Sequence, residues 1–271
     1  MSFELFGADA PGIAPCRYGE SKLQFRGPQR DLTGSYVAVL GGTEVYGRFV
    51  EMPFSELLES ELGKTCVNFG CVNAGLDSFM HDPDVLRLAR RADICVVQLM
   101  GAQNLSNRYF RVHPRRNDRF VEALPILVEM YPEVDFTEFH FNRHMLNTIE
   151  QVSASRFAAV RDELQRVWLS RMRLMIRALG ARVILLWIRY GPADEAHILD
   201  SEPPLVTRKM VEMLKQYVQG VVETRVQRAD SAGEVQDMVA GPIHLPIAGH
   251  VIGPNAHREI ATSLRALLAR M

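Results

Sequence analysis

The 271-residue chain lacks several things, and each absence closes off a class of protein. No uninterrupted apolar stretch approaches the ~20 residues that span a bilayer; the longest, Ile94–Met100 and Val183–Ile188, have strand length. The start, Met1 to Gly12, carries Glu4 and Asp9 and has no basic segment followed by an apolar one, which argues against a secretory leader. There is no Cys-x-x-Cys pair among the four cysteines (Cys16, Cys66, Cys71, Cys95). Cys66 and Cys95 sit in apolar runs where a reduced, buried thiol is the default. There is no internal repeat and no low-complexity segment. Charge of either sign is not in excess: the formal net charge of -1 gives no global attraction to nucleic acid or to an acidic membrane surface. The expectation is a cytoplasmic protein with no membrane and no nucleic-acid partner.

What is present is an ordinary globular composition, 47% hydrophobic and 23% charged, arranged as alternating strand and helix signals. Residues 1–34 read as an irregular arm. From residue 35 a single domain follows. Val37–Leu40, Thr65–Asn68, Ile94–Met100, Arg182–Ile188 and Val221–Val226 read as strands. Between them, Phe54–Leu62, Pro83–Arg91, Ser153–Leu179 and Pro204–Gly220 read as helices, and Asn255–Leu268 closes the chain with Asn255 as its N-cap. The alternation breaks at about 105–150, which reads as an insertion with a helical patch at Phe120–Tyr131. Strands alternating with helices predict a three-layer α/β/α sandwich around a mainly parallel five-stranded sheet, flavodoxin-like in its winding.

Three glycine-bearing turns follow three successive strands. They are Gly41-Gly42-Thr43-Glu44-Val45-Tyr46-Gly47, Asn68-Phe69-Gly70-Cys71-Val72-Asn73-Ala74-Gly75, and Gly101-Ala102-Gln103-Asn104. A histidine-bearing stretch, Gly241 to His250, precedes the last helix. In that order and register the blocks resemble the SGNH (GDSL-type) hydrolase superfamily over roughly residues 36–104 and 182–270. The resemblance implies an SGNH-like α/β/α fold and acyl transfer: an ester hydrolase or acyltransferase, with a small-molecule or carbohydrate ester as the ligand and no cofactor or metal. It places Thr43 as nucleophile and His250 or His244 as base. Gly70 and Asn104 fall at the oxyanion donors, and Gly42, Asn73 and Arg108 line the substrate side.

The chain departs from the family pattern at the catalytic positions. Thr43 stands for Ser and Gly42 for Asp. The residue three before the histidine is Gly241 or Ile247 rather than Asp, which leaves Asp237 or Glu44 as the carboxylate to stand in from elsewhere. These departures support a second reading, a non-catalytic relative binding a glycan or an anionic ligand in the retained cleft.

Three further signals have blander explanations beside them. His140-x-x-x-His144 has the spacing of a zinc pair on one helix face, but it lies among Phe136, Phe139 and Phe141, as a packed segment would. Gly42-x-x-x-x-Gly47-Arg48 has a phosphate-loop frame without its Lys and Ser/Thr. The run Arg108 to Arg119 suits anionic groups or sugar faces, or equally a solvated run neutralised by nearby acids.

Overall fold

The five strand-length runs form one sheet. In the computed structural model, which describes residues 14–180, 182–191, 199 and 203–271, the strands are β3 (Val37–Gly41), β4 (Cys66–Gly70), β5 (Ile94–Gln98), β8 (Val183–Tyr190) and β9 (Gly220–Val226). All pair in parallel, in the order β4-β3-β5-β8-β9. Two small antiparallel ribbons accompany the sheet: β1 (Pro15–Cys16) with β2 (Phe25–Arg26), and β6 (Phe110–Val112) with β7 (Phe120–Ala123).

A parallel sheet needs cover on both faces, and the period of two along each strand supplies it. Val37, Val39, Val96, Ile184 and Leu186 point to one side. There they meet Phe54 and Leu58 of α2 (Phe54–Leu62) and Ile260 and Leu264 of α10 (Pro254–Leu268). Ala38, Leu40, Val67, Phe69, Val97 and Leu185 point to the other. That side is closed by α3 (Leu76–Met80), α4 (Pro83–Arg91) and the long α7 (Ala154–Leu179). Each aliphatic or aromatic side chain buried this way is worth ~1.5–3 kcal/mol. The result is a three-layer α/β/α sandwich.

Local chemistry sets the ends of the helices. Asp82 accepts from the Val85 N–H at the start of α4, Pro83 occupies its first turn, and Arg90 and Arg91 sit in its last. Ser153 accepts from the Arg156 N–H to open α7, and Gly180 ends it at φ 92°.

Several expected elements differ. Phe120–Tyr131 is not one helix, because Pro125 lacks the N–H a helix interior needs. The segment splits into β7 and α5 (Pro125–Met130). Pro204–Gly220 contains only the short α8 (Arg208–Glu212), capped by Thr207, and a 3-10 turn at Lys215–Tyr217; Gly220 begins β9 instead of ending a helix. Asn255 is not an N-cap. The last helix starts at Pro254 after Gly253, and the Asn255 side chain takes a hydrogen bond from Arg258. His140 and His144 do not share a helix face, since α6 (Asn142–Val152) begins after His140. Residues 1–13, including the Met1–Gly12 start, lie outside the described residues. The rest of the lead-in joins the core: Tyr18, Leu23 and Phe25 are buried, and the Tyr18 ring meets Phe69 edge-on at 5.1 Å.

Candidate active site

The strand order fixes where a site can form. From β3 the chain crosses to β4 on one side and then returns to β5 on the other. The C-terminal ends of β3 and β5 therefore diverge into a crevice, the place where open α/β sheets bind ligands. A cleft of about 140 Å³ opens there. Its lining includes Gly42, Thr43 and Glu44 after β3, Gln98 and the Gly101–Asn104 turn at β5, and Tyr190 at the end of β8.

Thr43 opens α1 (Thr43–Tyr46), a single turn. Its hydroxyl accepts the Asn73 N–H at 3.2 Å. Asn73 has φ 58°, a left-handed conformation that asparagine tolerates better than most residues, and the bend turns its N–H toward Thr43. Gly70 does something else. Its N–H donates to Asn68 Oδ1 at 2.8 Å, and a Cβ there would stand 2.2 Å from the Tyr46 nitrogen. Glycine is required at 70 so that α1 can lie directly on β4; its N–H is already engaged away from a substrate oxygen. Asn104 ends a 3-10 turn, and its Oδ1 accepts from Asn142 Nδ2 at 3.0 Å. With the carbonyl end held, the NH2 end is left to address the cleft.

Glu44 is half-buried. Its Oε2 accepts from Gln98 Nε2 at 2.8 Å and its Oε1 from the Tyr190 hydroxyl at 3.1 Å. Gln98 Oε1 in turn accepts the Gly42 N–H at 2.9 Å, so one amide ties the turn to the carboxylate. Sequence reasoning missed Gln98 and Tyr190. The available signal was a single polar residue closing the apolar run Ile94–Val97, where a strand end meets the ligand edge.

Neither expected histidine lines the cleft. His244 ends a 3-10 turn at Pro242–His244, its ring 5.8 Å from that of Phe49. His250 follows α9 (Leu245–Gly249) and is exposed. Among the described residues no histidine hydrogen-bonds the Thr43 hydroxyl. A further histidine, His257, is fully buried in α10. Its Nδ1 accepts the Phe54 N–H that opens α2, at 3.0 Å. Burial, aided by the nearby Arg26 charge, pushes its pKa down to about 3, so it is neutral and structural.

Arg108 also stays out of the lining. Its guanidinium lies over the Tyr109 ring at 4.9 Å and pairs at 3.6 Å with Glu163, whose carboxyl is held below the usual range first by its hydrogen bond from Arg166. Arg111 pairs with Glu122 at 3.1 Å, and Arg119 covers Phe141 at 4.1 Å. This part of the basic run is thus neutralised by acids or rests on rings. The insertion is fastened to the site by amides. Buried Asn117 accepts from the Gly75 and Ser78 N–H groups at 3.1 and 2.9 Å, and its main-chain carbonyl accepts from Asn142. Among the described residues no three His, Cys, Asp or Glu side chains gather to hold a metal, and no helix is long and apolar enough to cross a membrane.

The profile of one family, the domain of unknown function DUF6473, matches residues 1–271, the whole chain. The chain belongs to that family. No curated protein matches this DUF6473 chain significantly. Among solved structures, it is similar to the lipase Lip_vut3 from a goat rumen metagenome, at 13% identity and TM-score 0.43, covering 86% of this chain and 97% of that one. It is also similar to the salicylyl-acyltransferase SsfX3 from a tetracycline biosynthetic pathway. There the identity is 12% and the TM-score 0.37, with 89% of this chain matched to 57% of that one.

Proposed function

We propose that this DUF6473 protein is an SGNH-like ester hydrolase or acyltransferase, acting on an acylated carbohydrate in the switch-point cleft. The observation that carries the reading is the convergence of Thr43, its hydroxyl held by the Asn73 N–H, and the Asn104 side chain in one cleft at the mouth of the sheet. A hydroxyl with polar donors beside it is what acyl transfer requires. The oxygen attacks the ester carbon, and fixed N–H groups hold the negative charge that develops on the former carbonyl oxygen. Thr43 is the nucleophile, its oxygen held by the Asn73 N–H, and Asn104 Nδ2 is the oxyanion donor. Gly70 contributes by seating α1 on the sheet. No cofactor takes part in this chemistry.

The cleft also favours one ligand class over another. Its described lining carries the Glu44 carboxylate and no cationic side chain, so an anionic ligand is repelled and a hydroxyl-bearing one is welcomed. That argues against the anionic ligand in the sequence-based alternative and leaves its glycan. The remaining second reading is glycan binding without turnover, favoured by the positions of His244 and His250 away from the cleft.

Hydrolysis of p-nitrophenyl acetate by the wild type and by Thr43→Ala separates the two readings. The expected result is a loss of at least about a hundredfold in kcat/KM in the variant, with labelling of Thr43 by a fluorophosphonate probe. Equal turnover by both proteins removes Thr43 as the catalyst.

A further inference from the structure

An attacking hydroxyl needs a group to take its proton, and the described cleft has few candidates. Its titratable lining residues are Glu44 and Tyr190. Tyr190 donates its hydroxyl proton to Glu44 and so serves as a support for the carboxylate. We propose that Glu44, held by Gln98 and Tyr190 beside the Gly42 turn, is the general base of this cleft. The assignment rests on the ester-transfer reading above and adds the proton acceptor that reading lacks.

The placement is specific. A Cβ built on Gly42 would stand 3.4 Å from Glu44 Oε2 and 3.5 Å from the Ala74 carbonyl oxygen. The carboxylate thus folds back over the residue that precedes Thr43. Two donors, Gln98 Nε2 at 2.8 Å and the Tyr190 hydroxyl at 3.1 Å, fix its orientation. The Arg228 guanidinium lies 5.5 Å from the Tyr190 ring.

The proton balance closes on this one carboxylate. Thr43 Oγ bonds to the ester carbon while its proton passes to Glu44, directly or through one water. The carbonyl π pair becomes the oxyanion. Collapse breaks the bond to the alcohol oxygen, which leaves with the proton from Glu44 and yields acyl-Thr43. Water, or a hydroxyl of an acceptor sugar, then gives its proton to Glu44 as it attacks the acyl carbon. Thr43 leaves, recovers that proton, and the carboxylate is restored.

The test is p-nitrophenyl acetate hydrolysis by the full chain and three variants. Glu44→Gln is expected to lower kcat by roughly 10²–10⁴-fold with an unchanged thermal unfolding midpoint. Gly42 has φ -85°, which accepts a side chain, so Gly42→Asp added to Glu44→Gln sets a carboxylate in the same space. This double variant should recover at least tenfold over Glu44→Gln, an effect a merely structural role for Glu44 would not produce. Near-wild-type kcat in Glu44→Gln while Thr43→Ala is inactive, or no recovery in the double variant, overturns the base and leaves the esterase standing. Absence of Thr43-dependent turnover overturns both.

Discussion

The layer under α2 and α10 is packed almost wholly with aliphatic side chains, such as Val39, Leu58, Ile184 and Leu264. The opposite layer holds rings and thioethers, among them Phe69, Phe79, Phe110, Trp168 and Met172. It also buries the polar side chains of Asp77, Asn117 and Asn142. The contrast follows from what each layer touches. The aliphatic layer has to fill space, and close packing of simple side chains does that. The aromatic layer reaches the mouth of the sheet, where Asn117 fixes the turn at Gly75 and Asn142 orients Asn104. Rings that also carry a polar atom, such as Trp168, can fill volume and hold backbone at the same time.

The sharpest way to break the comparison is to cut one large side chain from each layer. Trp168 is fully buried and its Nε1 donates to the carbonyl of Met100, a residue of the cleft lining. Trp168→Ala should cost about 3–5 kcal/mol in denaturant unfolding and lower ester turnover as well. Leu264→Ala should cost about 2–5 kcal/mol and leave kcat unchanged. A loss of turnover in the leucine variant alone would reverse the assignment of the layers.

The aliphatic layer buries one titratable imidazole, His257. Its folded pKa of about 3 lies below the unfolded value near 6.5, so between these pH values the unfolded chain binds more protons. Stability from this group is complete above pH 6.5 and is lost as the pH falls toward 3. Unfolding at pH 4.5 should show about 2–3 kcal/mol less stability from this group than at pH 7.5, and His257→Leu should flatten the slope.

The smallest effect concerns Asn142. Asn142→Ala leaves Asn104 Oδ1 and the Asn117 carbonyl without this donor, a cost of about 1–2 kcal/mol. Steady-state kinetics should show the loss in kcat with KM little changed, because the amide it orients acts on the charge formed in the transition state. A change in KM alone would place Asn104 in ground-state binding.

The sheet was readable because each strand is a short apolar run bounded by turn residues, and the ends of Phe54–Leu62 and Pro83–Arg91 agree with the structure to the residue. Phe120–Tyr131 was not, because its apolar spacing fits both periods until Pro125 divides it. The turns at Thr43 and Asn104 were legible, since glycine-bearing loops after parallel strands all emerge at one edge. The partners of Glu44 were not, since Gln98 and Tyr190 are brought to it by sheet order across sequence separations of 54 and 146 residues. His244 and His250 show the opposite failure: closeness in sequence to the last helix did not bring either into the lining.

Gly70 makes the cleft mechanically stiff. The turn that carries Thr43 rests on bare backbone, with no side chain between to act as a cushion, so any added carbon at 70 works as a wedge under α1. It would tilt the hydroxyl away from Asn73 without touching a ligand. The reach of the attacking oxygen is therefore set from below, by the thickness of one residue in the neighbouring strand.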